Sequence, residues 1–308
     1  MRAIVMRVLN SLILTSVLSG SLTGCSAQPI ETYDSVQQAE AQQLWTESCK
    51  DWDDWDKAGP PYRIHANSYY VGTCGISAIL ITGADGHILI DGGTEAAPDI
   101  IAKNIAAVGF SLSDVKILLH SHEHFDHVAG LARLQELSSA SLYASKAAAP
   151  VLSSGVTAAS DPQNGSHDPF PPADVTHIIE NGTPLHLGDI RLTALETPGH
   201  TEGALSWQWQ SCEGGACEWI VYADSLSPVS RFDYRFSEHL TYLSNYKSSL
   251  QYLRDVDCTL VITPHPSASQ MRRRLADGQL TNPLGCVEYS EGISGKLEKR
   301  LRKEEADK

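Results

Sequence analysis

The sequence predicts an α/β fold of two similar halves, with their sheets packed together and helices outside. Three observations predict it. Short apolar, branched runs first sit side by side around turn signals and then alternate with helical patterns. The same order recurs in the second half of the 308-residue chain. The composition, 42% hydrophobic and 19% charged, is that of a chain able to bury a sizeable core.

In chain order, "SAILITG" and "HILIDGG" flank "ADG" and read as a hairpin. "PDIIAKNIAAVGF" carries Ile100, Ile101, Ile105 and Val108 at helical spacing, with Pro98 at its start. "VKILLH" is a short buried strand, "VAGLARLQEL" a helix and "SLYAS" a strand. Residues 153–175 are rich in Ser, Gly, Pro and Asp; a loop that long in a compact domain is usually functional. "IRLTALE", "ALSWQWQ", "EWIVYAD" and "TLVIT" read as strands, and residues 238–254 as a helix. "GKLEKRLRKEEADK" reads as a charged, solvated C-terminal helix or tail.

The N-terminus reads as a targeting signal over residues 1–24. Arg2 and Arg7 precede the apolar run "VLNSLILTSVLSGSL", which is short for a membrane span. It ends in "LTGC", which resembles the bacterial lipoprotein box, with Cys25 lipidated as the new first residue. The expectation is an exported, periplasmic protein held to a membrane through Cys25. Residues 25–63 then form a polar N-terminal arm, and residues 64–308 the main domain. Loss of two positive charges with the leader would move the net charge from −14 to −16. So acidic a chain excludes a nucleic-acid partner, which needs a basic surface. A monomer is expected.

Six cysteines remain, and an even number in an exported protein suggests disulfides, although sequence alone leaves the pairing open. Cys212 and Cys217 flank the turn "EGGA" and are paired here. Cys258 and Cys286 share one C-terminal segment, which leaves Cys49 with Cys74.

The chemistry is concentrated in "HSHEHFDH", residues 120–127. Extended backbone alternates sides, so His120, His122, His124 and Asp126 start on one side and Glu123 and Phe125 point away. His127 follows at a turn and can swing in beside Asp126. Imidazoles with one carboxylate suit zinc, which takes about four ligands and at a catalytic site keeps one position open. His200 in "TPGHTEG" and His265 in "ITPHP" supply what the first cluster lacks. His65, His87, His167, His177, His186 and His239 lack ligand spacing and read as structural or solvent-facing.

These motifs, with "YADSLSPVS", resemble the metallo-β-lactamase superfamily, and most of all the class B β-lactamases of subclass 3. The likeness runs from "VGTCGISAILITGADGHILIDGG" to "GCVEYS". It implies an αββα sandwich of two mixed β-sheets with helices on the outer faces, and two Zn²⁺ ions. His122, His124 and His200 would hold one zinc, and Asp126, His127 and His265 the other. Ser225 stands where the first subclass has a cysteine ligand. Asp224 is either a bridging ligand, as elsewhere in the superfamily, or a residue behind the ligands; the β-lactamase likeness favours the latter. His120 is left over, with a supporting or packing role.

The resemblance further implies hydrolysis of the β-lactam amide of penicillins, cephalosporins and carbapenems by a zinc-bound hydroxide, giving antibiotic resistance. Asp126 would orient the water. Ser225, Ser227 and, from the long loop, Gln163 are candidates for the drug's carboxylate. The alternatives are another hydrolase of the superfamily, acting on a lactone or thioester, and a non-catalytic zinc-binding lipoprotein.

Overall fold

Period-two alternation sorts the side chains of each strand between two cores. Ile79, Ile81, Ile88, Ile90, Ile117 and Leu119 face one way; Leu80, Leu89 and Leu118 face the other. In the second half Ile220, Tyr222, Leu260 and Ile262 face inward, while Val221 and Val261 face outward. The chain must therefore bury both faces of two sheets, and four layers do so. The computed structural model describes residues 35–307, so the leader 1–24 and Cys25 lie outside the described residues.

The first sheet has seven strands in chain order: β1 (Tyr62–His65), β2 (Ser68–Tyr70), β3 (Ile79–Gly83), β4 (Gly86–Ile90), β5 (Val115–Leu119), β6 (Ser141–Ala144) and β7 (Val175–Ile178). The pairs from β1 to β4 are antiparallel and those from β4 to β7 parallel. The second sheet runs β12 (Leu260–Ile262), β11 (Ala216–Tyr222), β10 (Leu205–Glu213), β9 (Ile190–Glu196), β8 (Pro184–Leu187), with only β11–β12 parallel. Trp207 and Trp209 are buried between the sheets. Helices α2 (Pro98–Ala107), α4 (Leu131–Ser138) and α5 (Ala149–Ser154) cover the outer face of the first sheet. Helices α6 (Leu240–Asp255) and α8 (Gly285–Ala306) cover the second, with α7 (Met271–Ala276) between them in the chain. This is an αββα sandwich of two mixed sheets.

The expected "ADG" hairpin is β3–β4, with Thr82 opposite His87 and Gly86 at a positive φ of 125°. All three disulfides join the pairs chosen from sequence: Cys49–Cys74, Cys212–Cys217 and Cys258–Cys286. Several expectations need correction. The boundary between arm and domain at 63/64 falls inside β1, where Arg63 is in register with Tyr69, so the arm's end is part of the sheet. Before it, α1 (Ser35–Ser48) buries Trp45 against Tyr62 and Tyr70. "VAGLARLQEL" is not one helix. It breaks between α3 (Phe125–Val128) and α4, because Gly130 N–H is taken by Gly93 O at 3.1 Å. A Cβ at Gly130 would lie 2.2 Å from Gly92 O, so the break requires glycine. The charged C-terminal run is the second half of α8. Far from being wholly solvated, it buries Leu297 and Glu304, whose carboxylate accepts from Phe236 N and Ser237 N. Strands β7 and β8 are short, half-exposed and without clear alternation, so no pattern announced them.

Candidate metal centre

Strand ends of both sheets deliver the site. β4 and β5 are parallel, so Asp91 and His120 leave at the same end, with residues 120–124 following as loop and α3 carrying Asp126 and His127. His200 lies between β9 and β10, Asp224 to Ser227 follow β11, and His265 follows β12. Ligand sites gather beyond the carboxyl ends of strands for this reason.

Among the described residues, two groups bring ligand atoms within 4.8 Å of one another: His122, His124 and His200; and His122, Asp126 and His127. All are buried. His265 stands beside the second group, with Nε2 3.4 Å from Asp126 Oδ2. Asp126 Oδ2 is also 3.1 Å from His127 Nε2.

The fit to a metal can be tested on the ring nitrogens. His122 Nδ1 faces Asp224 Oδ1 at 2.8 Å, and among the described residues its buried Nε2 has no partner. His200 Nδ1 donates to Ser227 O at 2.8 Å. His124 Nε2 faces both oxygens of Asp161 at 3.2 Å. Each ring therefore has an acceptor outside the cluster and turns its other nitrogen inward; His124 Nδ1 and His200 Nε2 meet at 3.2 Å. Lone pairs converging in a buried place are the donor set of a Lewis acid such as zinc. Electrostatics agree for two of the three rings; burial lowers the pKa of His124 as well, but Asp161 and Asp126 outweigh it and raise that pKa. Burial, followed by the neighbouring imidazoles, holds His122 well below its ordinary pKa and His200 down to about 3, so both are neutral, the form that ligates. Burial opposes charge on His127 too, but Asp126 and Asp91 outweigh it and hold it up to about 10. That negative field also favours a metal cation.

Three functional carboxylates were missed in the sequence. Asp91, in the left-handed region at φ 65°, accepts from Ser121 N at 2.6 Å, Ser121 Oγ at 2.8 Å and Tyr222 Oη at 2.7 Å. Its Oδ2 is 3.6 Å from His127 Nδ1, an ion-pair distance. A non-glycine residue held at positive φ marks a constrained place, and the Asp-Gly-Gly ending of a strand was the available signal. Asp161 lies in the long loop, with no periodic pattern to mark it. Glu123 points away from the ligands, as its parity requires, and accepts from Thr201 Oγ1 at 2.6 Å and Gly203 N at 2.9 Å. Burial pushes its carboxyl up to about 7, against those hydrogen bonds.

The other candidates fall as follows. Both Asp224 oxygens are engaged, Oδ1 by His122 and Oδ2 by Leu226 N at 3.1 Å. His120 belongs to neither group; its Nε2 accepts from Ser145 N at 3.3 Å, and burial lowers its pKa to about 4. Ser225 Oγ is buried and has no partner among the described residues, while Ser227 holds His200. Gln163 Nε2 is 3.4 Å from His200 Nε2 and 3.5 Å from His124 Nδ1. Ser225, Ser227 and Gln163, with His124, His200, Asp126 and His265, line a cavity of about 500 Å³, walled by Trp52 and Trp55. His167, solvent-facing as expected, also lines it, with its ring centroid 4.4 Å from that of Phe125. Lys296 of α8 reaches the rim, although no cation stood out there in the sequence.

Comparison with known proteins places this geometry. A family model for the metallo-beta-lactamase superfamily matches residues 71–214. A "Probable metallo-hydrolase YqgX" of Bacillus subtilis (strain 168) is 30% identical over 148 residues, which are 48% of this chain and 62% of that protein; the match thus spans less than two thirds of that relative. Among solved structures, the MIM-2 metallo-beta-lactamase is 56% identical, with a TM-score of 0.83, over 86% of this chain and 98% of the other. MEM-A1, a subclass B3 metallo-beta-lactamase from a soil metagenome library, is 38% identical, with a TM-score of 0.80, over 83% of this chain and all of the other (100%). With its four layers, its converging imidazoles and this degree of likeness, the chain belongs to the metallo-β-lactamase superfamily of hydrolases and is most like the enzymes of subclass B3.

Proposed function

We propose that the protein opens the β-lactam amide of penicillins, cephalosporins and carbapenems with two zinc ions, and so confers resistance. The observation that carries this is the pair of ligand groups sharing His122, whose members His124, His200 and Asp126 line a cavity of about 500 Å³. The subclass B3 likeness supports the substrate class. His122, His124 and His200 would hold one zinc; Asp126, His127 and His265 the second. When bound, zinc lowers the pKa of a coordinated water to about 7 and polarises a carbonyl.

The chain's own residues do the rest. Asp224, Asp161 and the Ser227 carbonyl fix the three imidazoles with a nitrogen turned inward. Asp126 points one oxygen at His127 and His265, leaving the other to hold a water's proton. Among the described residues Ser225 Oγ has no partner, and it can donate to the drug's carboxylate, with Gln163 Nε2 as a second donor. Trp52 and Trp55 give the cavity an apolar wall that keeps bulk water off the reacting bond. No protein nucleophile is required. The Ser-x-x-Lys spacing of serine β-lactamases does occur, at Ser113–Lys116 and Ser244–Lys247, but neither pair lines the cavity.

The test is to follow opening of a penicillin, a cephalosporin and a carbapenem by the purified mature domain with zinc, with and without chelator. Opening that chelator abolishes and zinc restores is the expected result. A protein that opens a lactone or thioester but none of the three drugs is a different hydrolase of the superfamily. We further propose that residues 1–24 export the chain and that Cys25 anchors it in the periplasm.

A further inference from the structure

We propose that Glu123, the residue between the two histidines of His-x-His, is a positioning residue that clasps the His200 turn onto the ligand loop and so keeps the three-histidine group assembled. The proposal rests on reading these histidines as metal ligands, not on the choice of substrate.

Glu123 is 2% exposed, yet among the described residues no Lys, Arg or His nitrogen lies within 4.0 Å of its carboxylate. A buried carboxylate without a cation is costly unless its oxygens are hydrogen-bonded. Both oxygens are bonded, and both to one segment: Oε2 accepts from Thr201 Oγ1 at 2.6 Å and Oε1 from Gly203 N at 2.9 Å. These are the last two of four contacts with a regular step. Trp207 Nε1 donates to His120 O at 2.9 Å, and Leu205 N to Ser121 O at 2.6 Å. Residues 207, 205, 203 and 201 thus each place a donor on residues 120–123. The backbone supplies the acceptors as far as Ser121, and beyond that the Glu123 side chain takes over. The final donor is next to His200. From the other side, Ser145 Oγ donates to Gly203 O at 2.7 Å, so the turn is gripped on both faces. His200 comes from a different sheet than His122 and His124, and within this turn Glu123 supplies the side-chain acceptor between the two parts.

The parity that sends His122 and His124 inward sends Glu123 outward to this turn, so one extended segment both ligates and positions. Loss of an outer partner of a metal ligand typically costs about 10- to 100-fold in metal affinity.

The experiment measures zinc affinity and stoichiometry of the mature protein by competition with a chromophoric chelator, and records the absorption of the cobalt-substituted form. Glu123→Ala should bind one ion about 10- to 100-fold more weakly, with an altered cobalt spectrum, while its circular dichroism stays native. Glu123→Gln should stay close to the parent, because an amide oxygen can accept from Gly203 N and the amide N–H can donate to Thr201 Oγ1. Thr201→Val, which removes one donor only, should fall between and decides the matter if Glu123→Ala does not fold. Unchanged zinc affinity in Glu123→Ala, or in Thr201→Val where the alanine variant is unfolded, overturns the clasp. So does a Glu123→Gln protein as impaired as Glu123→Ala. A parent protein that binds zinc but opens no β-lactam would sink the substrate assignment and leave this result standing.

Discussion

His122 Nδ1 lies 2.8 Å from Asp224 Oδ1, with both side chains shut off from solvent. The contact fixes which nitrogen of His122 faces the cluster. Asp224→Ala removes the acceptor, and the ring can then turn or change tautomer. We expect about 10- to 100-fold weaker zinc binding, with kcat/KM falling in step. Metal analysis of the dialysed protein beside steady-state kinetics checks it. If Asp224→Ala retained full zinc and full activity, the carboxylate would have no such role.

Asp161 does the same for His124 from the long loop, and it also accepts from Gln163 N at 2.6 Å. Asp161→Ala should therefore weaken zinc binding and loosen Gln163 together, lowering kcat and raising KM. Gln163→Ala should raise KM several-fold with zinc content unchanged. Kinetics and metal content of the two variants distinguish a positioning carboxylate from a substrate donor.

Cys258 and Cys286, 28 residues apart, tie the start of β12 to the start of α8. Replacing both by Ser should cost about 3–4 kcal/mol by loop entropy. Denaturant unfolding of the double variant against its parent reads this directly, and a loss below about 1 kcal/mol would count against it.

Asp53 is held at a pKa of about 2. Burial raises it, but Lys57 Nζ at 2.8 Å and the Lys50 and Asp54 N–H groups at 3.0 Å more than compensate. The folded value lies below the ordinary 3.8, so the contribution is complete above about pH 4 and is lost as pH falls toward 2. Asp53→Asn should lower Tm near pH 7, with the difference from the parent vanishing near pH 2. A difference independent of pH would contradict it.

If Cys25 carries the proposed lipid anchor, Cys25→Ser should release the protein into the soluble periplasmic fraction. Fractionation of expressing cells settles it, and a serine variant that stays with the membrane would overturn the anchor.

Much of the site was legible because its ligands are concentrated. Six residues spanning 122–127 contain four of the six expected ligands, and strand parity alone separates His122, His124 and Asp126 from Glu123 and Phe125. The residues that aim those ligands were not legible in the same way. Asp91 and Asp161 are each about 30 or more residues from the histidine they face, and a lone carboxylate in a loop carries no pattern; Asp224 was placed behind the ligands only through the family resemblance.

The sequence by itself determined the strands and helices with strong periodicity, the set of cysteines available for disulfides and the His-x-His-x-Asp-His cluster. Each is a local signal, written in spacings of a few residues or in a scarce residue type. Only the tertiary structure decided which nitrogen of each histidine faces inward, that Trp52, Trp55 and His167 wall the cavity, and that Glu123 reaches across to the His200 turn. Those relations depend on where two sheets meet, and side chains far apart in the chain acquire partners only once the sheets have packed.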